Sequence, residues 1–309
     1  MNRKAALALL LCGVGLFFSA CGATVPAAPV AVGDGRMQVI TSFYAMRDFA
    51  EKIGGDKIDC RTLVPAGVEP HDWEPSPGDR AALQKADVFL YNGAGMEAFT
   101  DALLPALPRD QPLVMKASRG ISLIGPSASS DARGGAGSDP HVWLNPENAK
   151  IEMRNICDAF NQKDPRDKPY FEANYAKYAS QLEALDEEYQ TVLSACPKKD
   201  IVVAHQAFGY LCERYGLNQT AIEGVQADGD PPPAKLARII QFVRQQGIKT
   251  IFYEELVSSD LAQSVAKQTG AMAVALSPIE GLSAAEEKAG DDYFSLMRKN
   301  LDALKAALQ

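Results

Sequence analysis

Three histidines, His71, His141 and His205, are the only imidazoles in a chain of 309 residues. His71 lies in the loop 68–73, shortly after an apolar run that ends at Val64, and His141 lies in the string DPHVW (139–143). His205 directly follows the apolar run Ile201-Val202-Val203-Ala204. Neutral imidazole is a common ligand for zinc and other borderline transition metals. Three imidazoles need one further donor for tetrahedral closure, and a carboxylate oxygen suits zinc. Glu280, just beyond the apolar run 271–276, is one candidate, and Glu69, Asp72 and Glu254 compete with it. Glu280 is preferred because it divides the donors two and two between the halves of the chain. Spacing alone leaves each histidine a structural alternative. His205 fits that alternative best, because an imidazole after an apolar strand can be a hydrogen-bonded core residue.

The elements that must position these groups follow from hydrophobic periodicity. Residues 37–41 read as a strand, and Phe43, Met46, Phe49, Ala50 and Ile53 then recur at helical spacing. Further strands are expected at 58–64 and 88–91, with helices at 78–86 and 96–104; shorter apolar runs lie at 112–115 and 121–124. Asn145-Pro146 opens a helix, since Asn caps well and Pro is tolerated at the first helical position. From Phe171 to Val192 one apolar stripe runs at steps of 4 and 3, predicting a long helix over 168–195 that packs across two domains. Strands at 201–204, 220–222, 250–253 and 271–276 then alternate with helices at 208–215, 235–246, 260–269 and 291–308. Such alternation indicates parallel α/β sheets. In these sheets ligands bind beyond the carboxyl ends of strands, where at least two of the histidines fall. The expected fold is α/β, with two parallel-sheet lobes joined by a long rigid helix and the site in the cleft between them.

The first residues read as an export signal. Arg3 and Lys4 precede an apolar run from Ala5 to Phe18, too short to span a bilayer comfortably, and Ser19-Ala20 precede Cys21. This is a lipobox pattern in which Cys21 receives the lipid. Residues 22–35 are small and rich in Pro, Gly and Ala, the composition of a flexible linker. No other run is long enough for a transmembrane helix, so the mature chain is expected to be soluble and tethered. The expected organisation is a signal peptide at 1–20, an anchored linker at 21–36, an N-terminal lobe at 37–165, the linking helix at 166–196 and a C-terminal lobe at 197–309. Residues 125–138 are small and turn-prone, a flexible loop. Cys60, Cys157, Cys196 and Cys212 stay after processing, in a compartment where disulfides can form. No CxxC pair is present, which argues against a thiolate zinc site. The net charge of −8 argues against nucleic acid as a partner.

The strings GVEPHDWEPSP (67–77), DPHVWLNP (139–146), IVVAHQAFGYLCERYGL (201–217), LSPIEGL (276–282) and DDYFSLMRKNLDALKAAL (291–308), with the lipobox, resemble the metal-binding lipoproteins of bacterial ABC uptake systems, the zinc/manganese cluster of substrate-binding proteins. The resemblance covers nearly all of residues 37–309. It implies one metal between two lobes, with His71, His141 and His205 at the family's first three ligand positions. Many relatives place Asp at the position of Ser277; a zinc-binding subgroup instead uses Glu in a motif like SPIEGL, which matches Glu280. Trp73, Glu74, Asp139 and Trp143 are candidates for supporting the ligands. Asn145 is assigned to capping only. Some zinc-specific relatives carry a His-rich loop where this chain has residues 125–138, with no His.

The resemblance therefore implies a monomeric, lipid-anchored, extracytoplasmic binding protein that captures Zn²⁺ and delivers it to an ABC permease, and not an enzyme. No HExxH pair is present. Uptake of Mn²⁺ or Fe²⁺ is the alternative within the class; a zinc hydrolase and a surface adhesin are the alternatives outside it.

Overall fold

The computed structural model describes residues 35–110, 112–125, 137–225 and 231–309. The expected signal segment, Cys21, nearly all of the linker and most of the 125–138 loop lie outside the described residues. No helix among the described residues is long and apolar enough to cross a membrane.

The first half comprises β1 (Met37–Thr41), α1 (Tyr44–Gly54), β2 (Ile58–Thr62), α2 (Pro77–Leu83), β3 (Val88–Tyr91), α3 (Thr100–Leu103), β4 (Leu113–Lys116) and α4 (Pro146–Lys163). After α5 (Lys168–Ser194) the alternation restarts with β5 (Asp200–Val203), α6 (Gly209–Tyr215), β6 (Asn218–Ala221), α7 (Pro233–Gln246), β7 (Thr250–Tyr253), α8 (Asp260–Thr269) and β8 (Met272–Ala275). It ends with α9 (Ala284–Ala289) and α10 (Tyr293–Leu308). The strands form two four-stranded sheets, ordered β2-β1-β3-β4 and β6-β5-β7-β8, and every pairing is parallel. The two halves thus repeat one topology without visible sequence identity. In each, the chain reverses its direction of travel across the sheet between the first and third strands, the switch point where such sheets bind ligands.

Local chemistry explains the element ends. Ser76 and Asp79 close a capping box at α2, and Asn145 caps α4 by accepting the Glu147 N–H at 3.0 Å. α7 and α8 stop at Gly247 and Gly270, both in the left-handed region that glycine enters without a Cβ penalty.

Several expectations shift. The strand expected to reach Val64 ends at Thr62. The helix expected over 96–104 shortens to α3 and passes into a 3₁₀ turn through Pro105, because the Glu97 carboxylate is used to bind the Asn92 and Gly93 N–H groups. The run 121–124 forms no strand. α9 was not anticipated, although its capping box, Ser283 with Glu286, is a sequence-level start signal. All four described cysteines are free thiols.

α5 spans about 40 Å at 1.5 Å per residue and packs on α1 and α4 as well as on α6 and α10. Its buried stripe joins one continuous core that runs from Phe43 and Phe49 through Trp143 and Tyr189 to Phe208, Ile279 and Tyr293. Two smaller cores fill the outer faces of the sheets. The Tyr189 hydroxyl donates to the Met297 carbonyl at 2.5 Å, and Tyr293 donates to the Trp143 carbonyl at 2.7 Å. The sheets are therefore docked through buried side chains and directional hydrogen bonds, which fixes the loops at their carboxyl ends.

Candidate metal centre

Those loops converge. His71 comes from the loop after β2, His141 from the segment between β4 and α4, His205 from two residues past β5, and Glu280 from the loop after β8. All four are buried, and their donor atoms lie within 4.8 Å of one another. His71 Nε2 is 3.3 Å from His141 Nε2 and 3.3 Å from Glu280 Oε1, and His141 Nε2 is 2.9 Å from the same oxygen. A tetrahedral zinc with bonds of about 2.0–2.1 Å separates its ligand atoms by roughly 3.3–3.4 Å. The three observed separations are already close to that edge length.

Carboxylates and a backbone carbonyl flank the imidazoles of His141 and His205. His141 Nδ1 is 2.8 Å from Asp139 Oδ1, and the same oxygen accepts the His141 backbone N–H. His205 Nε2 is 2.8 Å from the Val225 carbonyl, while Nδ1 lies 2.7 Å from Glu254 Oε1, out of line for a regular hydrogen bond but well within ion-pair range. His141 and His205 therefore each stand between two acceptors. Burial opposes the charged form of His205, but the Glu254 and Glu280 carboxylates outweigh it and push the pKa up to about 10. Burial likewise opposes a charged His141, and its hydrogen bonds to Asp139 and Glu280 raise its pKa. Burial disfavours the Glu280 anion too, yet His71 and His141 hold its carboxyl well below the usual range. A small cavity beside Glu280 is walled by further carboxylates, among them Glu69, Glu255 and Glu286.

The supporting residues divide. Asp139 contacts His141 directly. Trp143 packs 5.3 Å from the His141 ring and donates its indole N–H to the Pro278 carbonyl at 2.8 Å. Trp73 instead packs on Phe99, in the outer core of the first sheet, and Glu74 is exposed; neither is brought to the histidines. Of the ionisable residues in the PHDWEP string only His71 is buried: Asp72 and Glu74 are exposed, and Glu69, just before the string, accepts the His71 backbone N–H at 2.9 Å. Sequence reasoning weighed Glu254 as a competing ligand and missed it as the partner of His205. Its place immediately after β7, beside the strand that precedes His205, was the available signal.

Two parallel α/β lobes with a closed nitrogen–oxygen donor set between them define a two-lobed solute-binding protein. The chain belongs to the family described as zinc-uptake complex component A, periplasmic (ZnuA), whose model matches residues 39–307. It is 37% identical over 301 residues to the high-affinity zinc uptake system protein ZnuA of Bacillus subtilis, covering 95% of this chain and 94% of that protein. It is 36% identical over 312 residues to the zinc-binding lipoprotein AdcA of Streptococcus pneumoniae, covering 99% of this chain but only 61% of AdcA. The crystal structure of the Zn(II)-bound ZnuA-like domain of that AdcA matches with a TM-score of 0.77 at 36% identity, over 89% of this chain and 99% of the domain.

Proposed function

We propose that the chain captures Zn²⁺ on the extracytoplasmic side and passes it to an ABC permease, acting as a monomer tethered through a lipid on Cys21. His71, His141, His205 and Glu280 hold the ion; Asp139 and Glu254 orient His141 and His205. The observation that carries this reading is the buried group of three imidazoles and one carboxylate, set nearly at tetrahedral zinc spacing. The relatives named for zinc uptake and zinc binding support it. Three nitrogens and one oxygen suit Zn²⁺ better than Mn²⁺, which favours more oxygen and higher coordination. Four protein donors leave no coordination position for a metal-bound water, so the arrangement suits carriage rather than hydrolysis. Metal analysis of purified protein, with competition between Zn²⁺ and Mn²⁺ for the stripped chain, tests the assignment. Zinc should be held preferentially at one ion per chain, and manganese held as the sole tight ligand would overturn it.

A further inference from the structure

The turn that carries Glu280 is held in a conformation its own sequence disfavours. Ile279 has φ of 59°, in the left-handed region, and is fully buried. A β-branched residue there is a genuine outlier, which persists only where surrounding structure enforces it. The restraints are visible. Asn300, on α10, brackets Ser277 by accepting its N–H at 2.9 Å and donating to its carbonyl at 2.7 Å. The Ser277 hydroxyl accepts the Ile279 N–H at 3.1 Å. Those restraints come from the same half of the chain as Glu280. The remaining one crosses from the other half: the buried Trp143 indole N–H donates to the Pro278 carbonyl at 2.8 Å. Trp143 sits two residues after His141, its ring 4.9 Å from Phe43 and its carbonyl pinned by Tyr293.

We propose that Trp143 is a positioning residue that makes the Glu280 donor conditional on lobe docking, by holding the strained 277–281 turn in the conformation that aims Glu280 at the histidines. One short segment then delivers a ligand, His141, and fixes another, Glu280. A movement that separates Trp143 from Pro278 frees Ile279 to relax and weakens both contributions together, giving the bound ion a cooperative exit. The inference rests on Glu280 being a ligand and adds what holds it there.

Trp143→Phe removes the N–H and keeps an aromatic ring in the same packing. Zinc affinity is measured by chelator competition for the wild type, W143F, E280Q and the double variant, all checked for folding by metal-free melting. W143F should weaken zinc by about 10–100-fold, the range for groups that orient a ligand. The double variant should be no more than about twofold weaker than E280Q alone, because both changes remove one contribution. Adding Ile279→Gly to W143F should recover part of the loss, since glycine adopts this φ without penalty. W143F within about twofold of wild type, or losses that multiply in the double variant, would overturn the proposal. If E280Q binds zinc as tightly as wild type, the ligand assignment itself falls and the proposal with it. If E280Q weakens binding and W143F does not, only the role of Trp143 falls. A readout on the unaltered chain is also at hand, because it has only two tryptophans. By linkage, zinc must slow hydrogen exchange at the Trp143 indole N–H, and an unchanged exchange rate overturns the proposal.

Discussion

Zinc binding should expel protons, and the structure sets how many. His205 has both ring nitrogens facing acceptors, the Val225 carbonyl and the Glu254 carboxylate, and its pKa is pushed up to about 10. At pH 7 the stripped protein therefore carries this imidazole as the cation. Removing its proton costs three pH units at about 1.36 kcal/mol each, or roughly 4 kcal/mol of binding free energy. His141 adds to the release, because its hydrogen bonds to Asp139 and Glu280 raise its pKa as well. Glu280 contributes none, since its pKa is held well below the usual range. Calorimetry at pH 7 in buffers of different ionisation enthalpy should report at least one proton released per zinc. Affinity should rise about tenfold or more from pH 7 to pH 8. Glu254→Gln should lower the count by about one, because the carboxylate that holds the His205 proton is gone. A proton count of zero, with affinity flat across that interval, would show that His205 carries no proton for zinc to displace.

Two further outcomes follow from the same contacts, and a third from a buried carboxyl in the core. Replacing His71, His141 or His205 by Ala should each weaken zinc by more than the ~10–100-fold expected for an orienting group, and isothermal titration that finds any one unchanged removes that residue from the site. The His205–Glu254 pair should stabilise the stripped protein fully below the unfolded imidazole pKa of about 6.5 and lose that contribution as pH rises towards 10; chemical denaturation of Glu254→Gln at pH 7 and pH 10 should show the difference from wild type shrinking at the higher pH. Glu152, on α4, is fully buried with neither carboxylate oxygen hydrogen-bonded, and burial raises its pKa well above the usual value. An unpaired buried polar group costs about 1–3 kcal/mol, so Glu152→Leu should raise Tm by several degrees at roughly 2–4 °C per kcal/mol; a Tm unchanged or lowered on calorimetry would show the carboxyl to be usefully partnered.

The parts of the fold visible in the sequence were those that a single local signal specifies. The apolar runs at β1, β3 and β7 and the stripe along α5 each bury a face whose period can be counted. Asn145-Pro146 announces α4 for the same reason. What periodicity could not show depended on contacts distant in the chain. Glu97 leaves an expected helix to bind the β3 end, and α9 is too short for a countable stripe. At the site, all four residues of the buried group could be named, because each follows a strand end or stands in a recognisable string. Their supporting partners were harder to name. Asp139 is two residues from His141 and was legible, whereas Glu254 is 49 positions from His205 and meets it only because β7 lies beside β5. Trp73 and Trp143 stand in similar strings, yet only packing decides that one faces Phe99 and the other His141 and Pro278.

The most direct test is a crystal structure of the zinc-loaded chain with anomalous data on both sides of the zinc edge. One zinc peak is expected between the lobes, bound by His71, His141, His205 and Glu280 at about 2.0–2.2 Å, with no water in the coordination shell. A peak elsewhere, or a zinc held by fewer of these residues with water completing the shell, would contradict this assignment.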